Sequence, residues 1–356
     1  MKPKFHTLTI KDIQKETADT VSISFNIPED LKENYQFIPG QYLTLKAMLD
    51  GNEVRRSYSI CSALSENELR VAVKEVKNGL FSTYANTQLS VGDELEVMTP
   101  EGGFNVRPNS GNANTYVFYA AGSGITPVLS MIKSLLEKED NSKVFLYYGN
   151  RSKEETIFRN QLDQLAEKYD NFKLHYILSR ENTSHPMTSG RIDADKCAHF
   201  FNEELADLKI EGIYTCGPEE MIECVKDFYI SKGLLHKVHF ELFTTPATAA
   251  AEQKVDTGAN VVVESDVTVI IDDEKFQFKL KSNGKDVLSA AQDQDADVPF
   301  SCKGGVCCTC RAKLLEGKVK MDLNFALEDD EVEQGFILTC QSHPITEKVV
   351  ISYDEY

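Results

Sequence analysis

The chain has 356 residues and a formal net charge of −18 at pH 7. That length exceeds a single ordinary core, and that charge excludes a large surface for nucleic acid or anionic lipid. With 41% hydrophobic and 26% charged residues it reads as a globular protein, and its apolar runs, such as Val261–Val263, are far too short for a membrane span. The opening MKPKFHTLTIKDIQ has neither an apolar core nor a small-residue cleavage site, so the expected location is the cytoplasm. Nine cysteines, four of them between 302 and 310, point to metal ligands rather than to the disulfide framework of an exported protein.

Between His6 and Val106 the runs TVSISFNI, QYLTLKAM, ELRVAVKEV and DELEVM alternate apolar and polar residues and are broken by turns, the pattern of an antiparallel barrel. The style changes near Asn109–Asn114. From Thr115, apolar strands alternate with helical patterns: TYVFYAA, a helix through Pro127–Glu137, KVFLYYGN, another helix, FKLHYILS, GIYTCG and a helix over Glu219–Lys232. This alternation predicts an α/β domain with a parallel sheet and crossover helices. Thr245–Asn260, TPATAAAEQKVDTGAN, is small and polar without periodicity and reads as a linker. Strands TVIID and KFQFKL, the helix-like DVLSAAQDQ and a cysteine loop follow. The expected order is a barrel over 1–109, an α/β nucleotide domain over 110–245, a linker over 246–260 and a small α+β domain over 261–356. That last stretch carries 19 acidic against 10 basic side chains, about half of the chain's excess charge. It provides a solvated face, or a docking surface for a basic partner.

The cysteines Cys302, Cys307, Cys310 and Cys340 have the spacing C-x4-C-x2-C-x29-C. A two-iron cluster needs four terminal sulfurs around a small loop, and Gly304 and Gly305 let the backbone wrap closely. Zinc is the competing metal, but its structural sites more often use paired C-x2-C knuckles. The segment resembles the plant-type 2Fe–2S ferredoxins over about the last 95 residues. The resemblance implies a β-grasp fold with those four cysteines as ligands. Cys308, inside the loop where many ferredoxins have serine, is expected to be a non-ligand open to oxidation. Cys61, Cys197 and Cys224 are expected to pack as small apolar residues.

In the barrel, the strand-like RRSYSICS carries Arg56, Tyr58 and Ser59, a cation, a flat aromatic and a hydrogen-bond donor, which are what a flavin's pyrophosphate, ring and N5 require. Alone the pattern also suits a core strand. Downstream, Gly79-Leu80-Phe81-Ser82-Thr83 opens an apparent helix, and a helix start with free amides and hydroxyls suits phosphate. In the α/β domain Gly122, Gly124, Thr126 and Pro127 follow a strand and open a helix, where glycines admit a pyrophosphate. Cys216-Gly217-Pro218 ends a later strand in the same way.

Together these stretches resemble the ferredoxin–NADP reductase superfamily over about residues 4–245. The resemblance implies FAD near Arg56, Tyr58, Ser59, Val73, Lys74, Gly79, Ser82 and Thr83, and a nicotinamide beside Cys216, Gly217 and Pro218. It also implies a closing strand whose Glu241 and Phe243 approach the flavin edge, with Ser59, Cys216 and Glu241 at the reacting centre. Ser179 and Arg180, just past FKLHYILS, resemble the NADP-binding edge of this superfamily. Arginine accommodates a 2′-phosphate, which favours NADPH, whereas Glu181 would suit a free 2′-hydroxyl.

The order FAD, nicotinamide, ferredoxin resembles the oxygenase reductases, and residues 302–344 resemble the ferredoxin segment of phenylacetyl-CoA (ring 1,2-) epoxidase reductases. That family implies an electron path from NADPH through FAD and the 2Fe–2S cluster to a diiron oxygenase. A reductase for another hydroxylase, steroid or aromatic-ring, and a redox-sensing interaction protein are the alternatives. No acid–base triad is expected, and none of the seven histidines has a catalytic context.

Overall fold

The computed structural model describes residues 4–181, 183, 185–243 and 262–355, and the statements that follow concern those residues. The expected linker, 246–260, lies outside them. Strands β1 (Phe5–Thr17), β2 (Thr20–Asn26), β3 (Tyr42–Leu49), β4 (Asn52–Ser59), β5 (Leu69–Lys74) and β6 (Glu94–Met98) form one antiparallel sheet in the order β4-β3-β6-β1-β2-β5. A bridge between Ile60 and Val71 joins its two edge strands, so the sheet closes into a barrel. Alternate residues, among them Leu8, Ile10, Ile23, Leu43, Leu45, Val71 and Val97, fill the interior. Helix α1 (Leu80–Thr87) packs with Phe81 and Ala85 against that core. The long β1 was not legible in FHTLTIKDIQKET, because register shifts at Ile10/Asp12 and Lys15/Thr17 break its alternation.

Strands β7 (Thr115–Ala121), β8 (Lys143–Asn150), β9 (Phe172–Leu178), β10 (Ile210–Cys216) and β11 (Val238–Glu241) make a parallel sheet in the order β11-β10-β7-β8-β9. Helices α2 (Ile125–Lys138), α3 (Arg159–Lys168), α4 (Ala194–Phe200) and α5 (Glu219–Ser231) lie between those strands in sequence. The order reverses between β7 and β10, a doubly wound switch point that opens a crevice at the strands' carboxyl ends. Both faces of the sheet are buried, which explains runs such as TYVFYAA with no polar alternation.

The C-terminal part contains β12 (Glu264–Ile271), β13 (Glu274–Lys281), helix α6 (Val287–Gln292), β14 (Arg311–Glu316), β15 (Val319–Met321), helix α7 (Asp329–Glu333), β16 (Phe336–Leu338), β17 (Ser342–Pro344) and β18 (Lys348–Ser352). Its main sheet runs β13-β12-β18-β14-β16 with β12 and β18 parallel, and Val287, Leu288 and Ala291 of α6 pack onto it as in a β-grasp. The strands after the cysteine loop were not legible, being three to six residues long and set among Gly, Asp and Glu.

Arg70 ties the barrel together. Its guanidinium, nine-tenths buried, bonds Asp12 at 2.6 Å, Glu68 at 2.9 and 3.0 Å, and Ser22 at 2.9 Å, joining β1, β2 and β5. The hydrogen bonds from Arg70 hold the Asp12 and Glu68 carboxyls below their usual range. A depressed carboxylate stabilises the fold above its unfolded pKa, and that stability is lost as pH falls through the folded value. Arg70→Met should therefore lower stability by roughly 1–3 kcal/mol at pH 7. Urea unfolding should show the gap to the parent chain closing below about pH 4.

Candidate functional site

The two glycine turns of the α/β domain sit side by side at the switch point. Ala121 ends β7, Gly122–Gly124 makes a short 3-10 turn, and Gly124 leads directly into α2. A Cβ on Gly124 would lie 2.1 Å from the Cys216 carbonyl oxygen, so only glycine lets this turn touch the end of β10. A Cβ on Gly217 would come 3.1 Å from the Ala121 nitrogen, so the approach is tight from both sides. Thr126 bonds the Ser123 carbonyl at 3.1 Å and Pro127 is buried in the first turn of α2. No side chain caps that helix start. Pro218 precedes α5 in the same uncapped manner.

Across the crevice, β11 aligns Glu241 with Cys216. The Ser59 hydroxyl, at the end of β4 in the barrel, donates to Glu241 Oε2 at 3.2 Å. Ser59, Cys216 and Glu241 thus come from two domains to one place. Burial pushes the Glu241 carboxyl up to about 8, opposed by the Ser59 bond, so it is largely neutral at pH 7. Burial also raises the Cys216 thiol, and Glu241 adds to that shift. Phe243, two residues on, is 41% exposed.

Because strand side chains alternate, Arg56 and Tyr58 share one face of β4 while Arg55, Ser57 and Ser59 share the other. Tyr58 stands 5.6 Å from the ring of Phe81 in α1, and Arg56 is exposed. Gly79 caps α1 without a side chain; the Ser82 hydroxyl accepts the Val76 N–H, and Thr83 donates to Glu75. Val73 is buried in the barrel and Lys74 is paired with Asp19 at 2.8 Å, so both side chains are committed to the scaffold. Ser179 and Arg180 follow β9, two strands or roughly 10 Å from β7. The N–H of Arg180 bonds the carbonyl of Arg151, bringing two arginines together at the strand ends, and Glu181 accepts the N–H of Lys153.

The cysteine loop presents its sulfurs as two pairs. Cys307 Sγ donates to Cys302 Sγ at 3.1 Å, and Cys310 bonds Cys340. Cys302 is held below the usual thiol value by the bond from Cys307 and by the amides of Gly304, Val306 and Cys307. Cys340 is lowered by the bond from Cys310, with smaller help from Gln341 and the Gly305 amide. Positive φ at Lys303 (51°) and Gly305 (74°) curls the backbone so that these amides converge on sulfur. Among the described residues no three His, Cys, Asp or Glu side chains close on one point. Two thiol pairs within an amide nest suit a 2Fe–2S cluster, two terminal sulfurs to each iron. Cys308 turns away and donates to the Ala326 carbonyl at 3.1 Å. Gln341, which nothing in the sequence singled out, donates to the carbonyl of Lys303 at 3.0 Å and so ties the loop to the remote Cys340.

Comparison with known proteins agrees with this geometry. Residues 7–106 match the oxidoreductase FAD-binding domain, 118–227 the oxidoreductase NAD-binding domain, and 269–344 the 2Fe-2S iron-sulfur cluster binding domain. The chain is 40% identical to one of the subunits of 1,2-phenylacetyl-CoA epoxidase from Escherichia coli (strain K12), over 98% of both chains. The chain belongs to the flavin- and 2Fe–2S-dependent oxygenase reductases. This reductase is also 33% identical to the ferredoxin reductase component of 3-ketosteroid-9-alpha-monooxygenase from Rhodococcus rhodochrous, covering 97% of this chain and 96% of that one. Among solved structures it is similar to phthalate dioxygenase reductase, with a TM-score of 0.59 and 26% identity over 98% of each chain. It is an oxidoreductase for electron transfer, and its relatives include reductase components of oxygenases. No helix among the described residues is long and apolar enough to cross a membrane.

The thiol pairs give the cluster loop a direct test. Cys308→Ser should retain the visible absorbance and about two irons per chain, while Cys310→Ser should lose both, as read by iron and sulfide assay.

Proposed function

We propose that this reductase takes electrons from NADPH and passes them to a diiron oxygenase of the phenylacetyl-CoA epoxidase type. The observation that carries this reading is the meeting of Ser59, Cys216 and Glu241 at the switch point, with the cluster loop against the same barrel strands. When bound, FAD would convert the two electrons of one hydride into single electrons, and the 2Fe–2S cluster would carry them onward. The chain's own residues orient and insulate. Arg56 and the uncapped start of α1 at Gly79, Ser82 and Thr83 hold the flavin's phosphates. Tyr58 would face the flavin ring, and Val73 and Lys74 would shape the barrel wall beside it. Gly122, Gly124, Thr126 and Pro127 seat the nucleotide's pyrophosphate, and Cys216, Gly217 and Pro218 form the floor under the nicotinamide. Ser59 and Glu241 would hydrogen-bond the reacting edge, Phe243 would screen it from water, and Cys302, Cys307, Cys310 and Cys340 would be the cluster ligands.

NADPH is favoured by Arg180 just past the end of β9, a guanidinium suited to a 2′-phosphate, while Glu181 is engaged by the Lys153 N–H. The oxygenase partner is inferred from the 40% identity to the Escherichia coli protein. Nine free cysteines suit the reducing cytoplasm.

Steady-state kcat/KM should favour NADPH over NADH at least tenfold, and Arg180→Ala should remove that preference by weakening NADPH alone; a parent chain that prefers NADH overturns the assignment. Mixed with the other components of a phenylacetyl-CoA oxygenase, the reductase should support epoxide formation; rapid cytochrome c reduction without product would point to another oxygenase. Because neutral Glu241 can donate a hydrogen bond and its ionised form cannot, flavin reduction should slow as pH rises through about 8. In Glu241→Gln that slope should be absent, as followed by stopped flow between pH 6 and 9.

A further inference from the structure

The cluster loop meets the barrel along the face of β4 turned away from Tyr58. Arg55, 6% exposed, lies over the ring of Phe300 at 4.2 Å and approaches Asp297 at 3.8 Å. Ser57 donates to the Ser301 hydroxyl at 2.8 Å. Tyr42, at the start of β3, pairs directly with Ser59 in the sheet and is 4% exposed. Its hydroxyl accepts the N–H of Cys308 at 3.2 Å and shares a hydrogen bond with Thr309 Oγ1 at 3.1 Å. Both residues lie between the ligand positions Cys307 and Cys310.

We propose that Tyr42 is the positioning residue for electron transfer between the flavin and iron–sulfur domains, its phenol anchoring the 307–310 stretch to the strand pair that carries Ser59. Arg55 and Ser57 hold the approach to the loop, residues 297–301, whereas Tyr42 holds the stretch between two of the ligand positions. Its own backbone is fixed, since Tyr42 and Glu101 exchange N–H and carbonyl bonds at 2.8 and 3.0 Å. Gly102 leaves room for the ring, because a Cβ there would stand 3.0 Å from Cδ1. The phenol is therefore a rigid strut rather than a mobile surface contact. Removing its oxygen leaves the Cys308 N–H without its acceptor in a half-buried seam, which costs a hydrogen bond on one side only. The transfer assisted moves one electron, lost by one cofactor and gained by the other, with no bond made or broken. Its rate falls steeply with separation, so a small shift of the loop shows as a large change in rate.

The inference rests on flavin-to-cluster transfer, not on the choice of nucleotide or oxygenase. The test uses the full chain carrying FAD and cluster, reduced anaerobically with whichever nicotinamide nucleotide is the better donor. In Tyr42→Phe, flavin reduction should stay within twofold of the parent while cluster bleaching slows at least tenfold. Deuterium exchange at the Cys308 amide should accelerate by a similar factor. In Ser57→Ala, which cuts the same seam ahead of the first ligand position and outside the 307–310 stretch, bleaching should stay within twofold. A merely structural role for Tyr42 would leave the ratio of the two rates unchanged. Bleaching within twofold of the parent in Tyr42→Phe, or slowed only in step with flavin reduction, overturns the proposal, whatever the exchange shows. Should Tyr42→Phe lack its cluster, Thr309→Val decides in its place. It removes one hydroxyl partner at constant volume, so slowed bleaching supports the strut and unchanged bleaching overturns it.

Discussion

The side chains of an extended strand alternate in direction, so β4 necessarily offers different chemistry on its two faces. Arg56 and Tyr58 point toward the α1 side, while Arg55, Ser57 and Ser59 meet the cluster domain and Glu241. A single strand therefore carries side chains suited to flavin on one face and the contacts to the cluster domain on the other, with Ser59 at its end where the two meet. Slipping its register by one residue would exchange the two faces and dismantle both contacts at once. The eight-residue pairing of β3 with β4 protects that register, and Tyr42 opposite Ser59 is its last rung.

The second constraint is the contact between Gly124 and the Cys216 carbonyl. Adjacent parallel strands bring the turns after β7 and β10 together only because neither turn carries a side chain in the gap. This is why glycine-rich turns far apart in sequence form one crevice, and why the helix starts beyond them are free to meet a phosphate. The cluster loop uses the complementary device. There, positive φ at Lys303 and Gly305 turns backbone amides inward, so that anionic sulfur is satisfied by the main chain rather than by cations.

Interactions between domains make one electron path out of these separate sites. Val306 and Phe325 of the cluster domain pack against the apolar cluster of the nucleotide domain that includes Leu242, while Tyr42, Ser57 and Arg55 hold the loop to the barrel. Beside these contacts Ser59 is buried and Glu241 half-buried, and that burial raises the carboxyl at position 241. Burial also raises the Cys308 thiol, which donates to the Ala326 carbonyl.

The residues alone determined the kinds of chemistry. The C-x4-C-x2-C-x29-C spacing, the glycine turns after apolar strands, the Arg-x-Tyr-Ser run and the change from alternating to continuous apolar patterns are all local, and each reports a local physical requirement. They placed the barrel, the parallel sheet and the cluster loop in the right order. Short strands such as β15 and β17 escaped notice because three residues cannot display a period. Only the tertiary structure brought Ser59 to Glu241, Gly124 to Cys216, Gln341 to Lys303 and Tyr42 to Cys308. A tyrosine opening a strand carries no sign of what its hydroxyl will touch. The contact spans 266 residues, and it exists because closing the barrel and docking a third domain bury that oxygen beside an amide that needs an acceptor.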